Sequence, residues 1–197
     1  MRTTIYLIRH GVTAANKGNI FAGRSDEPLA PEGTAQLAEV GKSLADAGIA
    51  KIICGPLQRT RQSAAVVATE LGVTVSADEG LNEICLPHWD GLSKDAIRQR
   101  FGAQYPTWLE DPEGFFVAGC ETIADVQKRA VDCVERLFVS CAGQSILVVS
   151  HLIVIRSLLL HYLQKPISDF RSIKVGNAQL ICLVRDEAGV TRVADLC

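Results

Sequence analysis

The chain has almost no excess charge of either sign: 20 Lys and Arg stand against 22 Asp and Glu, a formal net charge of −2. Nucleic-acid and acidic-membrane partners are met by a basic excess or a basic stripe. Neither partner is expected here, and any anion site must be local. Long hydrophobic runs are also missing. The longest apolar region, residues 146–163, is broken by Ser150, His151, Arg156 and Ser157, which argues against a membrane span. Only Ile5-Tyr6-Leu7-Ile8 precedes Arg9 as an apolar stretch, too short for the core of a secretory signal, so a cytoplasmic location is expected. The cysteines (Cys54, Cys85, Cys120, Cys133, Cys141, Cys182, Cys197) are odd in number and form no C-x-x-C pair. That pattern indicates neither a disulfide framework nor a zinc site, and reduced, mostly buried thiols are expected.

What is present is an ordinary globular composition, 48% hydrophobic and 21% charged over 197 residues, enough for one sizeable core. A single domain over 1–197 is expected. Strands are predicted at 3–8, 51–54, 145–150, 178–184 and 191–194. Most are Val/Ile/Leu runs rather than alternations, as in strands buried on both faces. Helices are predicted between them: 31–47 ending at Gly48, 57–71 ending at Gly72, one opening at Thr122 with Asp125 as its capping acid and running to Ser140, and 152–163 closed by Pro166. Residues 79–119, with Pro87, Pro106 and Pro112, read as an irregular, polar excursion carrying one or two short helices, a common origin of active-site lids. The alternation implies an α/β fold, a three-layer α/β/α sandwich with a mostly parallel sheet.

Chemistry-bearing residues cluster where strands give way to helices. Arg9-His10-Gly11 follows the first strand, Pro56-Leu57-Gln58-Arg59-Thr60 the second, and Val149-Ser150-His151 closes the third, at 145–150. In a parallel sheet these ends share one rim, where open α/β sheets bind ligands. Two histidines and two arginines converging in a partly buried place demand an anion, because unpaired buried cations are costly. A phosphoryl group fits: Arg9 and Arg59 offer forked donors, and the helices opening near Leu57 or Leu152 add amides and a positive dipole end. Three other motifs carry less. Gly41-Lys42-Ser43 lies inside a helix and lacks the earlier glycine of a P-loop; Cys54 and Arg59 have four residues between them rather than the five of a cysteine phosphatase; Ser150 has no G-x-S-x-G elbow, and a capping or backbone hydrogen bond is its expected task.

Residues 7–23 closely resemble the histidine phosphatase (phosphoglycerate-mutase-like) superfamily, whose Arg-His-Gly followed by Thr and Asn is here Arg9-His10-Gly11, Thr13 and Asn16. Phe21-Ala22-Gly23, Asp26, Leu29, Gly33, Pro56 through Thr60, Glu83 with Trp89-Asp90-Gly91, Glu121-Thr122 and Val149-Ser150-His151 continue the likeness over nearly the whole chain. The resemblance implies a nucleophilic His10 that becomes phosphorylated, phosphoryl oxygens held by Arg9, Arg59 and His151, and Glu83 as proton donor. Asn16, Phe21, Ala22 and Gly23 would face the rest of the substrate, with Trp89 packing the Glu83 loop. It implies neither cofactor nor metal.

Each residue type suits its implied task. A neutral imidazole is a nucleophile at pH 7, Arg9 and Arg59 should keep it unprotonated, and a protonated His151 would help hold the equatorial oxygens. Glu83 needs a raised pKa to lend a proton. Departures from the family pattern are Val12, Gly55 and Leu152; Val12 and Leu152 are expected to make the pocket wall more apolar. The activity implied is metal-independent hydrolysis of a small phosphorylated metabolite, with sugar phosphates, phosphoglycerate and α-ribazole 5′-phosphate all open. A phosphoglycerate-type mutase and a non-catalytic phospho-ligand sensor are the alternatives. Oligomeric state is undetermined by the sequence, and so are the roles of His88 and Arg24; His161 is expected to be structural.

Overall fold

The computed structural model describes residues 2–195, so Cys197 lies outside the described residues. The first apolar run forms β1 (Thr3–Arg9), buried along most of its length. After it come α1 (Ala14–Lys17), α2 (Pro31–Ser43), β2 (Ile49–Cys54), α3 (Gln58–Leu71) and β3 (Val75–Ala77). A 3₁₀ turn Glu79–Leu81 leads into α4 (Lys94–Phe101), α5 (Gln104–Glu110), α6 (Ile123–Ser140), β4 (Ser145–Ser150) and α7 (Leu152–Tyr162). A second 3₁₀ turn, Ile167–Arg171, precedes β5 (Leu180–Arg185) and β6 (Thr191–Asp195).

The strands make one six-stranded sheet in the order β3-β2-β4-β1-β5-β6. From β3 through β1 the pairings are parallel, and β5 and β6 add antiparallel neighbours. Alternate residues of a strand point to opposite faces, and two apolar layers result. Ile8, Ile52, Cys54, Leu147 and Val149 pack with Leu37 of α2 and Ala64 and Val67 of α3. Ile5, Leu7, Ile146 and Val148 pack with Val126, Ala130 and Val134 of α6 and Val154 and Leu158 of α7. Helices therefore cover both faces of the sheet. At the start of α6 Thr122 and Asp125 form a reciprocal capping box, and α3 ends on Gly72 in the left-handed region at φ 67°, as their sequences dictate.

Residues 79–119 correct the expectation of a polar excursion. Leu81, Trp89, Ile97, Tyr105, Trp108 and Phe115 are all buried and join the same apolar layer as α6 and α7. Two short helices, α4 and α5, are present in it. Among the described residues no helix is long and apolar enough to cross a membrane.

Candidate active site

Register places the two histidines. In β1 and β4 Arg9 pairs with Ser150, so the next residues, His10 and His151, leave the sheet side by side. The His10 N–H donates to Ser150 O at 3.0 Å, and the two ring centroids are 5.4 Å apart at 61°. His10 Nδ1 lies 2.8 Å from Gly11 O. A carbonyl can only accept, so Nδ1 carries the proton and Nε2 keeps its lone pair. Burial, then the charges of Arg59 and Arg9, push the His10 pKa down to about 3, with the Gly11 bond working weakly the other way. The ring is a neutral base.

His151 is fully buried and neither of its ring nitrogens has a hydrogen-bond partner. A buried unsatisfied donor costs roughly 1–3 kcal/mol, which an arriving anion can recover. Burial first, and the Arg59 charge second, hold its pKa well below the ordinary histidine value. The ring is neutral until an anion compensates the cost of charging it, so the protonated His151 expected above belongs to the phosphoryl-bound state. Gly55 gives the ring room. A Cβ there would sit 2.8 Å from Leu81 O and 3.1 Å from His151 Nε2.

Arg59, in the first turn of α3, is only 1% exposed. Its Nη1 donates to Ser25 O and its Nη2 to Gly23 O, both at 2.7 Å, while Nε is buried and unpartnered. The guanidinium thereby ties down the loop that carries Phe21, Ala22 and Gly23. Arg9 Nη1 donates to Val175 O at 3.0 Å, and burial brings its pKa down to about 10.

Glu83 is held by a clamp that sequence reasoning missed. Arg129 of α6 donates to Gly80 O, Asn82 O and Glu83 O at 3.0, 2.6 and 3.2 Å and is itself paired with Glu121 at 2.8 Å. Arg24 Nε adds a bond to Glu83 O at 3.1 Å, and Ser150 Oγ donates to Leu81 O at 2.9 Å. The latter is the backbone role expected of Ser150. With Arg129 and Glu83 46 positions apart in sequence, no local spacing signals the clamp. Glu83 is 6% exposed. Burial raises its pKa against the opposing pull of the Ile84 N–H, Arg59, the Ile153 N–H and Arg129.

These groups meet a cleft of about 430 Å³. Arg9, His10, Asn16, Phe21, Ala22 and Glu83 line it, while Gly23, Arg59 and His151 lie outside its lining. Leu152 is in the wall as expected, but Val12 is not: its N–H is taken by Gln36 and its carbonyl by Ala30. Asn177, also missed, bonds His10 O at 3.0 Å and Asn16 Oδ1 at 2.9 Å, placed there because Ala178 pairs back onto Arg9 O. Arg156 and Arg171 complete the additions. His88 instead bonds Gln104 at 2.9 Å, and Trp89 is fully buried among Phe21, Tyr105, Trp108 and Phe115. Among the described residues no group of three or more His, Cys, Asp or Glu side chains is arranged to hold a metal ion.

Comparison with known proteins gives this rim a context. A bifunctional protein of Mycobacterium tuberculosis is 32% identical over 158 residues, which cover 80% of this chain and 43% of the relative, so the chain spans less than half that protein's length. A probable phosphoglycerate mutase of Yersinia pestis is 27% identical over 176 residues, 89% of this chain and 82% of that one. The solved structure of YhfR from Bacillus stearothermophilus superposes with a TM-score of 0.94 at 28% identity, covering 98% of this chain and 96% of the other. The family model for the histidine phosphatase superfamily (branch 1) matches residues 5–195, from the strand that delivers His10 to the last strand of the sheet; the chain belongs to that superfamily.

Proposed function

We propose that the protein is a phosphomonoester hydrolase that works through a phosphohistidine on His10 and needs no metal. One observation carries this reading: a neutral histidine whose proton is committed to Gly11 O shares a cleft with a carboxyl whose pKa burial raises. The first is a nucleophile and the second an acid, both prepared before substrate arrives.

In the first step His10 Nε2 attacks phosphorus, the P–O ester bond breaks, and Glu83 gives its proton to the departing alkoxide oxygen. Charge on the transferring phosphoryl oxygens is met by Arg9, by the unpartnered Nε–H of Arg59 and by His151, whose ring nitrogens lack other partners. In the second step water attacks phosphohistidine, its proton passing to the Glu83 carboxylate. Phosphate leaves, and both groups return to their starting states.

Rapid-quench mass spectrometry during turnover of 4-nitrophenyl phosphate tests the reading. A phosphoryl adduct on His10, release of inorganic phosphate and loss of turnover in His10→Ala are expected. Product formed with no adduct at position 10 overturns it, and primer-dependent interconversion of phosphoglycerates without phosphate release makes the protein a mutase instead.

A further inference from the structure

The proposed reaction leaves two cleft-lining arginines without a task. Arg156, in the second turn of α7, and Arg171, at the end of the 3₁₀ turn Ile167–Arg171, both stand by the buried Phe170 ring, their guanidinium carbons 5.2 and 5.5 Å from its centroid. Arg171 is fixed further by a 2.7 Å bond to Trp108 O and by the Trp108 ring at 4.9 Å. The Arg156 side chain makes no hydrogen bond or ion pair among the described residues, and its Nε, like that of Arg171, is buried without a partner.

Stacking on aromatic rings is worth about 0.5–2 kcal/mol and accounts for where the two side chains rest. It does not account for their company. Arg9, Arg156 and Arg171 line one cleft, and Arg9 and Arg171 each feel the charge of Arg156. Arg9, Lys94, Arg156 and Arg171 line the cleft with one acid, Glu83, which acts on Arg156 but is committed to the reaction. Partly buried like charges without counter-ions are unfavourable until an anion joins them, and a guanidinium fork matches carboxylate or phosphate oxygens.

We propose that Arg156 and Arg171 form a second anion subsite, so that the substrate is a small phosphomonoester carrying a further anionic group, a carboxylate or another phosphate, away from the ester being cleaved. The proposal rests on the hydrolase reading for its reaction but not for its binding.

A matched three-carbon series tests it: 3-hydroxypropyl phosphate, 3-phosphooxypropanoate and propane-1,3-diyl bisphosphate. For the wild-type protein kcat/KM for at least one of the two doubly anionic esters should exceed that for the alcohol by about tenfold or more, and whichever ester leads identifies the second group. Arg156→Met and Arg171→Met should collapse that ratio to within about threefold, with thermal unfolding confirming that each variant folds. Equal rates across the wild-type series, or a ratio untouched in folded variants, overturns the subsite. Calorimetric titration of the three esters into His10→Ala decides the binding question even if no ester is hydrolysed: tighter binding of a doubly anionic ester keeps the subsite while the hydrolase reading falls, and equal affinities remove it. Should a variant not fold, the wild-type series alone decides.

Discussion

His10 and Glu83 are both more than nine-tenths buried, and burial penalises whichever protonation state is charged. The imidazole is therefore kept neutral and the carboxyl's pKa is raised, the directions a nucleophile and a general acid require. The pH dependence follows with a definite sign. kcat/KM on 4-nitrophenyl phosphate should fall as pH rises through the elevated pKa of Glu83, because the proton donor is then lost. His10, displaced to about 3, imposes no acid limb in the range above it; a loss of rate near pH 6 belongs to the second ionisation of the phosphate itself, about 6. Glu83→Gln should lower kcat by about 10²–10⁴-fold and remove the alkaline limb. A full pH–rate profile of both proteins checks this, and an unchanged limb in the variant would assign it to another group.

At the scale of elements, the loop after β1 and the first turn of α2 meet backbone to backbone. A Cβ on Gly11 would stand 2.6 Å from Gly33 O, and one on Gly33 would run into the carbonyl of Val12. That contact fixes the residue next to His10, and nothing flexible is present to give way. Gly33→Ala should destabilise the fold by about 1–3 kcal/mol, the usual cost of overpacking, read as a lower denaturant midpoint with an unchanged slope; a midpoint within error of wild type would show that the two segments can part. Elements with strong local signals were legible in the sequence. β1 and β4 are uninterrupted apolar runs, and the capping box at Thr122 marks where α6 opens. β3 was not, since its three residues are all exposed and show no apolar pattern, and α1 spans only four residues. α2 stops at Ser43 rather than 47 because Leu44 leaves helical geometry and bonds back to Val40 and Gly41. In 79–119 the aromatics are too scattered to show periodicity, and only tertiary packing reveals that they are core. Arg156 stood in plain view as an interruption of an apolar run. Its spacing of four from Leu152 puts both on the cleft side of α7, a signal that a search confined to strand ends passes over.

For the molecule as a whole, a nearly neutral chain concentrates cations at one rim and holds two histidines there uncharged, and this has a price in acid. Both have folded-state pKa values below the ordinary 6.5, so as pH falls the unfolded chain takes up protons that the native state refuses. Their contribution to stability is present above about pH 6.5 and is lost on acidification, at about 1.4 kcal/mol per pH unit for each histidine. For His10 the loss continues down to about 3. Glu83, shifted upward, works in the opposite sense between the ordinary carboxylate value and its raised one, and exposed carboxylates add their own terms. A difference measurement removes these shared contributions. In His10→Gln the slope of unfolding free energy against pH, taken from urea titrations between about pH 6 and 4, should be shallower than in the wild type by about 1.4 kcal/mol per unit. Parallel slopes would mean that His10 can take up a proton in the folded protein, and the neutral nucleophile on which the proposed chemistry depends would then be absent at acid pH.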